Sequence, residues 1–153
     1  MRRVLLAVAI ALLPGLAYAD GWVAQMEEDE GGKTMVASVA GDPDGKLTPL
    51  LRLMCAGSRG VMLSYAMTTD TGGPGSSVNL LFENESKQVK MQLAYEAMDG
   101  AFVAYFHKTD PMIDLLDNGP DLYVSEATGD GPATSFSLEG ATKAISAVLK
   151  GCK

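Results

Sequence analysis

His107 is the only histidine of this 153-residue chain, so any histidine-based acid–base chemistry must use it. A histidine base in a hydrolase needs a nucleophile within hydrogen-bonding distance and an acid that orients the ring. Ser64, Ser125 and Asp110 are the residues that such a site would use. Neither serine lies in a G-x-S-x-G or comparable motif, so a surface histidine at a strand end is the simpler interpretation. We therefore expect a protein that is not an enzyme.

Metal ligands of both the soft and the hard kind are present, but their spacing does not build a site. Of the nine methionines Met1 belongs to the N-terminal signal, and the other eight form no M-x-M or M-x-x-M cluster, so we expect most of them to fill core space. Asp42-Pro43-Asp44-Gly45 resembles part of a calcium loop, but the proline and the missing later ligands make it a turn. Asp110, Asp114 and Asp117 fit one exposed turn of helix. We expect no metal ion and no cofactor.

Glu27, Glu28, Asp29 and Glu30 form a continuous acidic run. Such a run can hold a hard cation or face a basic partner. Gly31-Gly32 follows directly and suits a hairpin turn, so the run also fits a solvated hairpin tip. We take these four acids as the candidate interaction surface.

Cys55 and Cys152 are the two cysteines, and they lie 97 residues apart. Cys55 continues the alternation of Leu51 and Leu53, and Cys152 continues the apolar stripe of a C-terminal helix, so both sulfurs are expected to point into the same interior. A redox-active pair is the alternative, but such pairs usually occur as C-x-x-C at a helix start. The sequence therefore predicts a structural disulfide, worth about 4–5 kcal/mol in the loop-entropy model.

Residues 1–19 have the pattern of a cleaved export signal. Arg2-Arg3 precedes an apolar stretch over 4–16, and Ala17-Tyr18-Ala19 supplies a cleavage site. Cleavage after Ala19 leaves a single periplasmic domain over 20–153 and moves the formal charge from −7 to −9. An uncleaved N-terminal anchor is the alternative, and no later apolar run is long enough for a membrane span. The acidic balance disfavours nucleic acid and anionic lipid as partners.

Apolar and polar residues alternate along most of the mature chain, which predicts β-strands. These strands must position the residues named above. Gly-, Pro- and Asn-containing turn signals separate the strand-like segments. These segments are 22–27, 34–40, 51–55, 61–67, 78–82, 89–95, 101–106 and 122–124.

Two segments change to helical spacing. Asp110-Pro111 begins a short helix near 111–117, and the C-terminal stripe consists of Ala141, Ala144, Ile145, Val148 and Leu149. The sequence thus predicts an α+β, mainly β, domain. It has an antiparallel sheet or sandwich of eight or nine short strands, with the C-terminal helix packed on the sheet. A two-sheet sandwich and a single curved sheet both fit this pattern.

A family resemblance rests on several blocks from Leu47 onward: Leu51 to Cys55, Val78 to Phe82, the strand with Lys90, the segment 101–106, and the closing stretch from Phe136 to Cys152. In these blocks the chain resembles the VasI-type (TagO-type) exported proteins associated with bacterial type VI secretion. The resemblance covers about two thirds of the chain. It implies a shared disulfide-bridged scaffold without catalytic residues.

Three functions are open at this point. The first is a non-catalytic periplasmic binding or accessory domain, attached to the cell envelope or to a type VI secretion system, whose partner is another envelope protein. The second is an acidic inhibitor of a basic cell-wall enzyme, since complementary charge accelerates association. The third is a small hydrolase that uses His107. The lack of a convergent acid, base and nucleophile favours the first.

Overall fold

A computed structural model describes residues 21–29, 31–41, 49–66, 72–129 and 131–152. The export signal with its cleavage site, Glu30, Met67 and the turn at 42–45 lie outside these residues. In chain order the strands are β1 (Val23–Asp29), β2 (Gly32–Ala40), β3 (Leu50–Cys55), β4 (Val61–Ala66), β5 (Ser77–Glu83), β6 (Gln88–Glu96), β7 (Ala101–Phe106), β8 (Asp121–Glu126) and β9 (Thr134–Ser137). The helices are α1 (Pro111–Leu116) and α2 (Ala141–Gly151).

The described strands form one antiparallel sheet in the order β1-β2-β3-β4-β7-β6-β5-β8-β9. This arrangement confirms the predicted mainly β fold and its strand number, and it is a single sheet rather than a sandwich. The β5–β6 hairpin lies between β7 and β8, because β6 pairs with β7 and β5 pairs with β8. None of the helices in the described ranges combines the length and the apolar character that a bilayer crossing demands.

Successive side chains of a strand alternate between the two faces of the sheet, and the inner face carries the core. Its central residues, such as Leu53, Leu63 and Phe82, are completely buried. The buried residues of α1 and α2 belong to the same cluster, so sheet and helices share one apolar interior. Burial of this apolar surface is the main term that stabilises the fold.

Helix α2 lies against β1, β2 and β3 through the predicted stripe, with Ala144, Ile145 and Val148 buried. Gly140 precedes it with φ of +75°, a conformation that favours glycine, and a Cβ there would lie 3.0 Å from the Trp22 carbonyl oxygen. The Cys55–Cys152 disulfide is present and joins the end of α2 to the end of β3, with Cα atoms 5.4 Å apart. Both cysteines are half-buried at the rim of the core.

The short helix α1 has a defined contact at each end. Asp110 is its N-cap, and the Oδ1 atom accepts a hydrogen bond from Met112 N at 2.9 Å, as the sequence predicted. At the other end Asn84 Nδ2 donates to the carbonyl oxygens of Leu115 and Asn118, at 3.0 and 2.7 Å. The β5–β6 turn therefore binds the Leu115 carbonyl at the C-terminal end of α1, which the helix does not satisfy internally, and the Asn118 carbonyl just beyond the helix.

The two ends of the sheet approach each other. Gly41, directly after β2, forms a bridge with Phe136 of the edge strand β9. A Cβ at Gly41 would lie 2.8 Å from the Phe136 ring, so only glycine allows this approach. Trp22 N donates to the Glu139 carbonyl oxygen at 2.7 Å, just before β1 begins. The sheet is consequently strongly curved around its core.

Candidate functional site

Glu27, Glu28 and Asp29 of the acidic run belong to a strand rather than to a turn. β1 continues to Asp29, so Glu27 and Glu28 pair with Thr34 and Lys33 of β2. Lys33 Nζ lies 3.6 Å from Glu28 Oε1, and this cross-strand ion pair supports the extended backbone of the acids. Asp29 pairs with Gly32; its side chain and the whole of Glu30 lie outside the described residues.

Glu27 of β1 forms an ion pair with a residue of β3, a strand that does not pair with β1. Arg52 of β3 donates to Glu27 Oε2 across the outer face of β2. Gln25 Nε2 donates to the other carboxylate oxygen, Oε1, at 3.0 Å. The side chains of Arg52 and Glu27 are 27% and 33% exposed, so water screens this ion pair only in part.

The ion pair borders a recess of about 200 Å³ on the outer face, which we call the acidic recess. Val36 and Met54 contribute its apolar lining, and Asp99 reaches it from the turn between β6 and β7. The complete lining is Glu27, Glu28, Thr34, Val36, Arg52, Met54 and Asp99. Glu27 and Glu28 of this lining are paired with Arg52 and Lys33, and with Asp99 the acidic side chains outnumber the basic ones. This acidic excess favours a cationic group at the recess.

Met98, the residue before Asp99, is the most exposed large apolar side chain among the described residues. Met98 is 90% exposed in the same turn. Methionine is enriched in the cores of protein interfaces, where its unbranched side chain adapts to the partner surface. Met98 therefore offers an apolar contact directly beside the acidic recess.

A second polar cluster lies on the outer face around Tyr105 of β7. Its hydroxyl donates to Glu96 Oε1 at 2.8 Å, and the guanidinium carbon of Arg59 lies 3.9 Å from the ring centroid. Arg59 Nη1 is also 4.0 Å from Glu96 Oε1. Desolvation by burial, and then the hydrogen bond to Glu96, raise the pKa of Tyr105 to about 12. The phenol therefore keeps its proton and donates a hydrogen bond at neutral pH.

His107 is not brought together with the residues that a hydrolase would use. Its Nδ1 atom lies 2.8 Å from the Thr109 hydroxyl, in an exposed turn. Ser64 is opposite Val103, about 13 Å along the strand from His107. Ser125 is on β8, three strand positions from β7, which is about 14 Å along the sheet. Asp110 already accepts from Met112 N. That the protein is not an enzyme stays a prediction.

Two of the methionines differ from the expectation of core packing. Met112 and Met62 are buried, but Met26 and Met98 are 53% and 90% exposed. Alternation alone cannot predict this, because β1 is an edge strand and Met98 lies in a turn. In the described ranges no group of three or more His, Cys, Asp or Glu residues is placed to hold a metal ion.

Sequence reasoning did not single out Arg52, Arg59, Asp99 or Tyr105. A signal existed for Arg52, since alternation with Leu51 and Leu53 places it on the outer face, where a charge needs water or a partner. Its actual partner is 25 residues away in the chain, and only the strand order shows it. Asp99 lies in a turn whose direction depends on the curvature of the sheet.

Comparison with protein-family models, with curated proteins and with solved structures finds no match to this chain.

Proposed function

We propose that this chain is a non-catalytic exported domain that binds another protein of the periplasm or cell envelope. The disulfide between Cys55 and Cys152 fits an oxidising compartment, where such bonds persist. In this proposal residues 1–19 are removed during export and the mature protein begins at Asp20. N-terminal sequencing of the periplasmic protein tests this step, and a product that retains Met1 in the membrane fraction contradicts it.

The acidic recess with Met98 beside it is the observation that carries the proposal. Protein interfaces combine an apolar anchor with polar groups that fix the orientation of the partner. The carboxylate of Glu28 lines the recess and is 82% exposed, so water screens its ion pair with Lys33 and a partner cation can compete for it. The exposed Met98 supplies apolar surface beside the recess. We therefore assign the docking surface to this region and expect a partner with a lysine or arginine at its contact surface.

Site-specific photo-crosslinking in cells tests the assignment. A photoreactive amino acid replaces Met98 in one strain and Thr128, an exposed residue of the β8–β9 turn, in the control strain. We expect one discrete crosslinked envelope protein from position 98 and none from position 128. The same crosslink should weaken in a Glu27→Gln/Glu28→Gln background. Equal crosslinking from both positions would refute the assignment.

The association with type VI secretion belongs to this proposal and is supported by the family resemblance. We propose that the partner is an envelope component of such a system. Deletion of the gene should then reduce secretion of a type VI effector, and the Met98 crosslink should contain a component of the apparatus. Normal effector secretion in the deletion strain would refute the link to type VI secretion. The proposal of a binding domain would not be affected.

Inhibition of a basic cell-wall enzyme is the second candidate, and the carboxylates of the acidic recess favour it. A basic muramidase should lose activity when this protein is added, and added salt should restore the activity because it screens the complementary charges. The matched control is the Glu27→Gln/Glu28→Gln variant, which should inhibit less. Unchanged muramidase activity at excess protein would exclude the inhibitor role.

A further inference from the structure

The sheet opens between β6 and β7, away from the acidic recess. β6 is paired with β5 along its length, but its pairing with β7 covers only Ala94, Tyr95 and Glu96. β7 continues to Phe106, where it pairs with Val61 of β4. The two strands thus diverge beyond Ala94 and Val103. A cleft of about 390 Å³ lies between them, which we call the β6–β7 cleft, and it shares no lining residue with the acidic recess.

The backbone of β6 directs hydrogen-bonding groups into this cleft. Tyr95 N donates to the Ser76 carbonyl oxygen, so the backbone groups of Tyr95 face β5. Because neighbouring residues of a strand face opposite sides, those of Ala94, Gln92 and Lys90 face β7. Ala94 meets Val103 there, whereas Gln92 and Lys90 pair with no described residue of β7. They offer donors and acceptors spaced by two residues, about 7 Å, as an extended partner backbone requires.

The side chains of the cleft present two different surfaces to such a partner. Met91 and Phe106 belong to the inner, apolar face and line one side. Gln92 and Tyr105 belong to the outer face and line the other side. An extended peptide directs alternate side chains to opposite faces, so one set would contact apolar atoms and the other set polar atoms. The volume of the cleft lies within the roughly 300–1,000 Å³ usual for ligand sites.

We propose that the β6–β7 cleft binds an extended peptide segment of a partner protein, which adds to Lys90 and Gln92 of β6 as a strand. The segment has alternating apolar and polar side chains. Backbone groups recognise the peptide itself, and the side-chain alternation selects its sequence. The site goes beyond the proposed function, because it is a second surface with its own ligand class.

Hydrogen exchange of the free protein provides the first measurement. The amides of Lys90 and Gln92 should exchange much faster than those of Val89 and Met91, which face β5. Slow exchange of Lys90 and Gln92 in the free monomer would overturn the proposal, since the cleft would then be filled by the chain itself. Protection that rises with protein concentration would also overturn it, since a second copy would be the occupant.

Selection from a library of displayed linear peptides provides the second measurement. Selection against the wild-type protein should enrich peptides with alternating apolar residues, and a bound peptide should protect the Lys90 and Gln92 amides. Ala94→Trp fills the mouth of the cleft with a bulky side chain and should weaken binding at least about tenfold, whereas the exposed Thr128→Trp should leave it unchanged. If circular dichroism shows that Ala94→Trp does not fold, Gln92→Trp on the same wall takes its place.

N-methylation of the selected peptide distinguishes an added strand from ordinary side-chain binding. A methyl group on every second peptide nitrogen removes the donors to β6, so affinity should fall at least about tenfold, while methylation of the intervening nitrogens should be tolerated. Equal tolerance at all positions, or equal binding to Ala94→Trp, would overturn the proposal. Glu27→Gln should not change peptide affinity, so the result is independent of the acidic recess.

Discussion

The ion pair between Arg52 and Glu27 shows how the sheet brings distant charges together at the scale of single residues. The two side chains belong to β3 and β1 and meet over β2, which separates their strands. Burial of about two thirds of each side chain strengthens the attraction and also makes a lone charge costly. The sequence predicted that Glu27 belongs to an interaction surface, and the contact with Arg52 came only with the tertiary structure.

A double-mutant cycle on this ion pair gives the first prediction. Arg52→Gln and Glu27→Gln should each lower the free energy of unfolding by on the order of 1 kcal/mol, and the double variant should lose less than the sum. Urea denaturation measures the three variants. Lys33→Gln is the control, since Lys33 and Glu28 are 68% and 82% exposed, and its effect should stay within about 0.5 kcal/mol. Strictly additive losses would mean that Arg52 and Glu27 do not interact.

Tyr105 gives a second prediction, on pH dependence. Desolvation and the bond to Glu96 raise the pKa of Tyr105 from 10.0 to about 12 in the folded protein. Between these pH values the folded state keeps the proton that the unfolded state loses, so stability falls as pH rises through this window. Tyr105→Phe should flatten that decline, measured as the urea midpoint at several alkaline pH values. Tyr123→Phe is the matched control for loss of one tyrosine. A decline of unchanged slope in Tyr105→Phe would contradict the assignment.

Alternation and capping patterns predicted most secondary-structure elements correctly, because both depend on residues close in the chain. Asp110 and Pro111 begin α1, and the stripe around Ile145 lies on the core side of α2. The first hairpin differs, since β1 extends to Asp29 and β2 begins at Gly32. The backbone pairs Glu28–Lys33 and Asp29–Gly32 extend both strands up to the turn. Gly31-Gly32 had indicated a hairpin turn there, with the preceding acids at its tip.

The disulfide gives a third prediction at the level of elements, because it joins α2 to β3. Cys55→Ala/Cys152→Ala should lower the free energy of unfolding by about 4–5 kcal/mol, since the unfolded chain regains the entropy of a long loop. Urea denaturation under non-reducing conditions measures this loss. Cys152→Ser should lose a similar amount, and reduction of the wild type should reproduce it. A Cys152→Ser variant as stable as the wild type would contradict a structural role for the bond.

At the scale of the whole molecule, one apolar cluster joins residues from the start of the sheet to its end. It includes Trp22 before β1, Phe136 of β9 and Val148 of α2. The Gly41–Phe136 bridge and the Trp22–Glu139 hydrogen bond connect the two ends of the sheet. Since the described strands and helices contribute to one shared interior, we expect them to unfold as one unit.

Trp22 allows a direct test of this fourth prediction, because it is the only tryptophan and is 6% exposed. Its fluorescence should shift to longer wavelength on unfolding, with the same urea midpoint as the far-ultraviolet circular dichroism of the sheet. In the disulfide-free variant the fluorescence and circular dichroism midpoints should still coincide, but at a lower urea concentration. Two separated midpoints in the wild type would mean that the ends of the sheet unfold independently.

The sequence by itself determined the mainly β character, the two helices, the inward faces of the strands and the Cys55–Cys152 bond. These features follow from strand alternation and helical spacing, which have a fixed period, and from capping, and all three depend on residues close in the chain. Only the tertiary structure decided the strand order, the contact of Arg52 with Glu27, the acidic recess and the opening between β6 and β7. Apolar burial has no direction, so the same inward faces are compatible with many strand orders. The sites on the outer face are consequences of the particular order that the chain adopts.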